Sequence, residues 1–493
     1  MAIHTGHHNR AARIREQLDH PVIDGDGHII ESESVFLDYL KQVAGADVIK
    51  DYGEWARSLV SESFYADAQA RIARRIHRGP FWGLPANNTM DRATSMFPGL
   101  MYSRLDELGI DVSMAYPTMG LLLLRTPRGL THACIRAINT MNAELYRPYS
   151  DRLIPVAVIP MQTPEEAIQE MEFAVNELSM KAIVAQGSIH RPIPQELRRG
   201  LGSYYVDFLA LDSIYDYDPV WQKCIDLGVA LTGHSGAQGQ PMRSSPTSFV
   251  FNHVGHFGAH HEGQAKAFLL GGVTRRFPKL KIAFLEGGVG WAVNLYNQIF
   301  EHFEKRNIEA LRRNQDPSLV DRELLVKLAL EYGEDRHRAN VNQIRHGEGE
   351  FWAPTQWPDE PIDMDEFKAC GAKTKQDIHD LFVPNFYFGC EADDRLVSSA
   401  FNTRLNVLGA RLQAIFSSDI GHWDVIDATD CVPESYELVE DGLLTPADYR
   451  DFMFTNSVTL HGSMNPDFFK DTIVEGEAAR VLAERGVDKA ATG

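Results

Sequence analysis

Short, continuously apolar runs recur along the chain, and the stretches between them carry helical patterns. The runs are Pro21–Asp26, Asp111–Ala115, Leu153–Ile159, Lys181–Ala185, Gly228–Thr232, Lys281–Leu285, Asn385–Gly389 and Gln413–Ser417. None alternates apolar and polar residues, as a strand with one wet face does. Continuous runs of this length belong to parallel strands covered on both faces. The clearest helical stretch is Pro164–Leu178. Its Ile168, Met171, Ala174, Val175 and Leu178 fall at three- and four-residue steps behind a Thr163 cap and a first-turn proline. Eight strand–helix units predict an α/β fold, a (β/α)8 TIM barrel. An open doubly wound sheet competes with it, but no GxGxxG follows the first run.

A plain barrel takes about 250 residues, and this chain has 493. The surplus is expected in two insertions, at about 32–98 after the first strand and 297–383 after the sixth. Both mix charged helical text with aromatic, proline-rich stretches that contain Phe81, Trp82, Trp352 and Trp357. Such aromatics serve as core or line an apolar substrate pocket. No linker or low-complexity tract sets the insertions apart, so one barrel is expected over 21–465. A 1–20 extension precedes it and a 466–493 tail follows. A lid or a contact between copies is the expected role of the insertions, and a homo-oligomer is the expected assembly.

Charge narrows the partners. With 48 Lys and Arg against 68 Asp and Glu, the net charge is −20. That surface repels phosphate backbones and anionic membranes, which excludes nucleic acid and membrane as expected partners. The five cysteines stand far apart with no CxxC, so neither a zinc ribbon nor a disulfide scaffold is indicated. The first twenty residues hold no apolar signal region, and no apolar run approaches the ~20 residues of a membrane span. A cytoplasmic protein acting on a small molecule is expected.

In a barrel the chemistry sits where the strands end. The first run ends in Asp24-Gly-Asp-Gly-His28, the fifth in Thr232-Gly-His-Ser-Gly236, the sixth in Leu285-Glu-Gly-Gly-Val-Gly-Trp291 and the eighth in Ser417-Ser-Asp-Ile-Gly-His-Trp-Asp424. Asp26 and His28 are two apart, so on an extended strand they point to one side. That suits two ligands on one divalent cation, with His234 as a third and Asp419 as a fourth. A nitrogen and oxygen set without thiolate suits catalytic zinc, manganese or iron. His422 is read as a general acid or base, or as a partner that orients Asp419. Glu391, ending the seventh run, either faces the cavity or pairs with Arg395. The stretch Phe251–Glu262 is rich in histidine. On one helix His253, His256 and His260 form a stripe, which either packs structurally or brings His256 or His260 to a second metal with Glu286. A dinuclear pair about 3.5–4 Å apart would activate water or, with iron, dioxygen.

These four strand-end motifs resemble the amidohydrolase superfamily, most closely the branch of aminocarboxymuconate semialdehyde decarboxylase and gamma-resorcylate decarboxylase. The resemblance spans about residues 21–465. It implies a metal-dependent hydrolase or decarboxylase in which the HxH pair of the first strand falls on Asp26 and His28. The strand-five ligand falls on His234, and the strand-eight aspartate, ligand and orienter of water, on Asp419. The first histidine of the pair is aspartate here. Decarboxylase members carry a histidine after strand six, where this chain has Glu286; that residue is then a base or a ligand to a second metal. Dinuclear iron oxygenases of the same branch make oxygenation the alternative activity. Catalysis is accordingly expected at Glu286, His422 and Glu391.

Overall fold

The computed structural model describes residues 9–63, 65–79, 87–197, 203–237, 239–348 and 364–487. Phe81, Trp82, Trp352 and Trp357 lie outside the described residues. Eight strands form one all-parallel sheet: β1 (Ile23–Ile29), β2 (Val112–Pro117), β3 (Leu153–Ile159), β4 (Ala182–Ala185), β7 (Leu231–Gly233), β8 (Ile282–Phe284), β9 (Phe386–Glu391) and β10 (Gln413–Ser417). Each pairs with the next in that order. Just past β10 the chain returns to β1: Asp419 N–H donates to Asp26 O at 3.0 Å, and His28 N–H donates to Ile420 O at 3.1 Å. The sheet curls back on itself there as a (β/α)8 barrel, and every apolar run expected from the sequence is one of its strands. A hairpin, β5 (Ile189–Pro192) with β6 (Tyr204–Asp207), stands outside the barrel after β4.

The strands are apolar throughout because helices cover them outside and side chains fill them inside. The helix Pro164–Glu172 begins as its sequence demands, with Thr163 Oγ1 accepting from Glu166 N–H at 3.3 Å. Its Met171 and the following Ala174 are fully buried. Around β8 and β9, Phe284, Phe386, Phe388 and Trp291 meet edge to face at ring separations near 5.5 Å. Each such ring withdraws enough apolar surface to contribute on the order of 2–3 kcal/mol.

The segments expected as insertions pack unevenly. The helix Glu33–Ala44 buries Phe36 and Leu40 and packs on the helix Arg128–Tyr146. After β8 the helix Gly290–Arg306 runs through residue 297, so the barrel's own helix continues past the expected start of the second insertion. At its other end, Lys375–Phe382 packs Ile378 and Phe382 into the core. Between them, the helix Arg322–Tyr332 buries only Val326. No described helix is long and apolar enough to cross a membrane.

One buried carboxylate ties the seam together. Asp24 Oδ2 accepts from Ser113 Oγ of β2 at 2.7 Å and from Ser418 Oγ at 2.8 Å. Its Oδ1 accepts from Ser418 N–H at 2.9 Å and Asp26 N–H at 3.2 Å. Gly27 lies so close that a Cβ there would sit 2.6 Å from Ser113 Oγ and 2.3 Å from Asp24 Oδ2. Nothing in this clamp can retreat, since Asp24 and Ser113 are fully buried. Gly27→Ala is therefore expected to cost about 1–3 kcal/mol, as overpacking does, read as a lowered midpoint in denaturant unfolding. An unchanged midpoint would show that the clamp is looser than described.

Candidate metal centre

The residues at the ends of β1, β7, β8 and β10 meet at the C-terminal mouth of the barrel. Asp26 and His28 point inward from β1, as their two-residue spacing requires, with His28 Nε2 3.6 Å from Asp26 Oδ1. His234, following Gly233 of β7, places Nε2 3.7 Å from Asp26 Oδ2. Asp419 Oδ1 lies 3.3 Å from His28 Nε2. Glu286 Oε2 comes to 2.8 Å of His234 Nε2. The four expected ligands are thus assembled, and Glu286 joins them.

Two of these carboxylates are carried on left-handed backbone, Glu286 at φ 53° and Asp419 at φ 51°. That conformation costs a non-glycine residue roughly 1–3 kcal/mol and persists where surrounding structure over-determines it. Here the peptide N–H of Asp419 is tied to β1, and that of Leu285, just before Glu286, donates to Gly233 O at 3.0 Å. The turns aim both side chains at the barrel axis.

The atoms facing one another fit a cation. Both oxygens of Asp26 and of Asp419, His28 Nε2, His234 Nε2 and Glu286 Oε2 are buried and make no aligned hydrogen bond, although Glu286 Oε2 touches His234 and Asp419 Oδ1 touches His422. Buried polar atoms are seldom left so. Two sets of donors gather within 4.8 Å: Asp26, His28 and His234 in one, and His28, Glu286, Asp419 and His422 in the other. His28 belongs to both, so they form one cluster. Imidazole and carboxylate donors suit zinc, manganese or iron.

Electrostatics agrees. Burial holds the Asp26 and Glu286 carboxyls well above their ordinary range, Asp26 next feeling the imidazole of His234 in the opposite sense and Glu286 the charge of Asp424. Asp419 is raised by burial and then by Glu286. His28 is pushed far down by burial and by the rings of His422 and His234. These shifts run toward the uncharged forms of Asp26, Glu286, Asp419 and His28, and a divalent cation would act against them on the carboxyls.

His422 engages both sides of its ring. Nδ1 sits 2.6 Å from Asp419 Oδ1, and Nε2 lies 3.1 Å from Thr118 Oγ1. The ring stacks on His28 at 3.8 Å, and burial drops its pKa to about 3. The geometry favours the orienting role over a freely titrating one. Glu391 is half-buried at the end of β9, and after burial the charge of Glu286 contributes most to raising it. Its alternative partner is taken, because Arg395 Nη1 bonds Asp441 Oδ2 at 2.8 Å.

The histidine stripe differs from expectation. Gly255 at φ 70° breaks the segment into the helices Phe249–His253 and His256–Leu270, so no single helix face joins the three rings. Neither His256 nor His260 enters a metal-capable group among the described residues. His260 Nε2 meets Ser188 Oγ at 2.8 Å, and His256 packs against Phe257 at 3.9 Å. The neighbour that reaches toward strand β8 is His261, whose Nε2 bonds Leu285 O at 2.7 Å.

Sequence reading passed over three positions that shape the site. Thr118 bridges His28 and His422. Tyr116 lies beneath the rings of His28 and His234, 6.4 Å from each. Glu31 accepts from Met119 N–H at 2.8 Å, fixing the turn that carries Thr118, and burial lifts its carboxyl to about 7. The first two follow the second strand's apolar run directly, which was the available signal.

Because burial raises these carboxyls above their ordinary pKa, protons compete with a cation for them, more so at lower pH. Chelation is therefore expected to lower the melting temperature more at about pH 8 than at about pH 6. Differential scanning fluorimetry with and without chelator checks this; an equal or reversed pH dependence contradicts the cluster.

An amidohydrolase family model matches residues 23–336. The crystal structure of an amidohydrolase from Mycobacterium avium subsp. paratuberculosis superposes at TM-score 0.50 and 17% identity, covering 90% of this chain and 100% of that one. IDCase of Metarhizium anisopliae gives TM-score 0.50 at 12% identity over 92% of this chain and 99% of its own. A 2,6-dihydroxybenzoate decarboxylase from Rhizobium gives 0.46 at 14% identity, over 90% and 98%. No curated protein matches the chain. The structural likenesses speak to the fold alone, whereas the family model takes in well over half of the sequence: the chain belongs to the amidohydrolase family.

Proposed function

We propose that the protein is a metal-dependent hydrolase or non-oxidative decarboxylase of a small organic acid or ring compound. The observation that carries this reading is the set of buried ligand atoms on Asp26, His28, His234, Glu286 and Asp419 that crowd together without aligned hydrogen bonds. Family membership and the decarboxylases among similar folds are consistent with it. Asp26, His28, His234 and Asp419 would hold a divalent cation, which would supply Lewis acidity toward a substrate oxygen or water.

The chain's own residues do the rest. His422 keeps Asp419 in place through the 2.6 Å contact, and Thr118 keeps His422 turned toward it. Glu286 presents Oε2 to the middle of the cluster beside His234. That oxygen is placed to take a proton from an attacking water, or to deliver one to a carbon or nitrogen leaving group. Glu391, at the end of β9, is itself held above its ordinary range by burial and then by the charge of Glu286. A single cation is the reading adopted. A second one, and with it oxygenation, would need His256 or His260 within the cluster.

The test is elemental analysis of protein purified without chelator. The wild-type chain is expected to hold about one zinc, manganese or iron, and His234→Ala to lose most of it. Glu286→Gln is expected to lower turnover by about 10²-fold or more, scored as carbon dioxide release or hydrolysis over a panel of aryl and aliphatic acids and amides. Full metal occupancy in His234→Ala would defeat the assignment.

A further inference from the structure

The histidine-rich helix His256–Leu270 gives no ligand atom to either cation-binding group among the described residues. Yet it lies against both loops that carry the Glu286–His234 contact. Its first turn holds the loop after β7. Ala237 N–H donates to His256 O at 3.1 Å, and the Phe257 ring meets the His234 ring edge to face at 5.2 Å. One turn later His261, fully buried, holds the loop after β8. Its Nε2 bonds Leu285 O at 2.7 Å. A carbonyl only accepts, so Nε2 carries the proton. Phe257 and His261 are four residues apart and share one helix face, with their rings stacked at 6.4 Å.

The bond to Leu285 O acts where Glu286 is most sensitive. That carbonyl belongs to the planar peptide joining Leu285 to Glu286, and φ of Glu286 measures rotation away from that plane. Glu286 sits at φ 53°, so a tilt of the plane swings its carboxyl away from His234. Neighbouring contacts leave little room for another arrangement. Leu285 N–H donates to Gly233 O at 3.0 Å, and Gly288 N–H donates to Gly389 O at 3.0 Å. Past Glu286, a Cβ on Gly287 would lie 2.9 Å from His261 Cδ2 and 3.1 Å from Trp291 Nε1. The His261 ring thus abuts the residues before and after Glu286.

We propose that Phe257 and His261 are positioning residues of the metal centre. One helix braces His234 through the first ring and the Leu285–Glu286 peptide through the second. It thereby sets the separation of His234 Nε2 and Glu286 Oε2, 2.8 Å here. The inference rests on the reading of Glu286 as the group that moves a proton beside a cation-holding His234. Both rings act through the residues they hold. Proton transfer works only within hydrogen-bond reach, and a misplacement of about 1 Å costs on the order of 10²-fold in rate. A helix holds such a donor more precisely than a loop does.

The test compares the full chain, as isolated, with His261→Gln and His261→Asn. The amide nitrogen of glutamine reaches the place of Nε2, and that of asparagine stops short of it. In crystal structures solved side by side, His261→Asn is expected to displace the Glu286 carboxyl by about 1 Å or more, while His261→Gln leaves it in place. Phe257→Leu is expected to shift the His234 ring by a similar amount, and it judges the same brace if His261→Asn does not fold. On the substrate that the panel of acids and amides yields, His261→Asn is expected to lower kcat by about tenfold or more with KM within about twofold. His261→Gln is expected to recover most of that loss. Combined with Glu286→Gln, His261→Asn is expected to cost less than about twofold further, because its effect passes through Glu286. An unmoved Glu286 in His261→Asn, an unmoved His234 in Phe257→Leu, equal losses in the two amides, or an undiminished loss in the Glu286→Gln background would each overturn the positioning role. So would a lowered melting temperature with kcat unchanged. A wild type without metal or turnover would sink the proposed function, and the crystal comparison would then decide the brace by itself.

Discussion

Negative charge buried without a counter-charge is the constraint around which this barrel mouth is organised. Asp26, Glu286 and Asp419 are removed from water and aimed at one another, an arrangement that costs several kcal/mol per ion unless a cation or a proton intervenes. The fold accepts that cost in a region where everything nearby is rigid. The first and last strands meet through the peptide groups of Asp26, His28, Asp419 and Ile420. Asp24, one step deeper on the same strand, shows what the same residue type does when it is satisfied: its oxygens accept from two serines and two peptide groups. Two aspartates two residues apart therefore have opposite roles. One closes the barrel, and the other is left open toward the mouth.

Much of this was legible in the chain. Parallel strands covered on both faces must be apolar along their whole length, so the eight runs announce themselves, and the polar residue that ends each run marks the mouth. The pairing of Asp26 with His28 follows from strand periodicity alone. What the sequence conceals is whatever depends on long-range partners. The serines that satisfy Asp24 lie 89 and 394 residues away, and no local pattern tells Asp24 from Asp26. The histidine stripe failed for a local reason instead. Helical spacing presumes an unbroken helix, and Gly255 in the left-handed region turns the chain between His253 and His256. Thr118 and Tyr116 were missed because a threonine or tyrosine at a strand end has no chemistry of its own until the imidazoles above it are placed.

Glu286 and Asp419 both occupy backbone geometry that glycine would adopt at no steric penalty. Selection for thermal robustness alone would therefore drift toward glycine at these two positions, gaining about 1 kcal/mol at each while erasing the donors the centre needs. A chain evolved for endurance without a catalytic screen would tend to go silent at residues that look, by sequence, like ordinary turns.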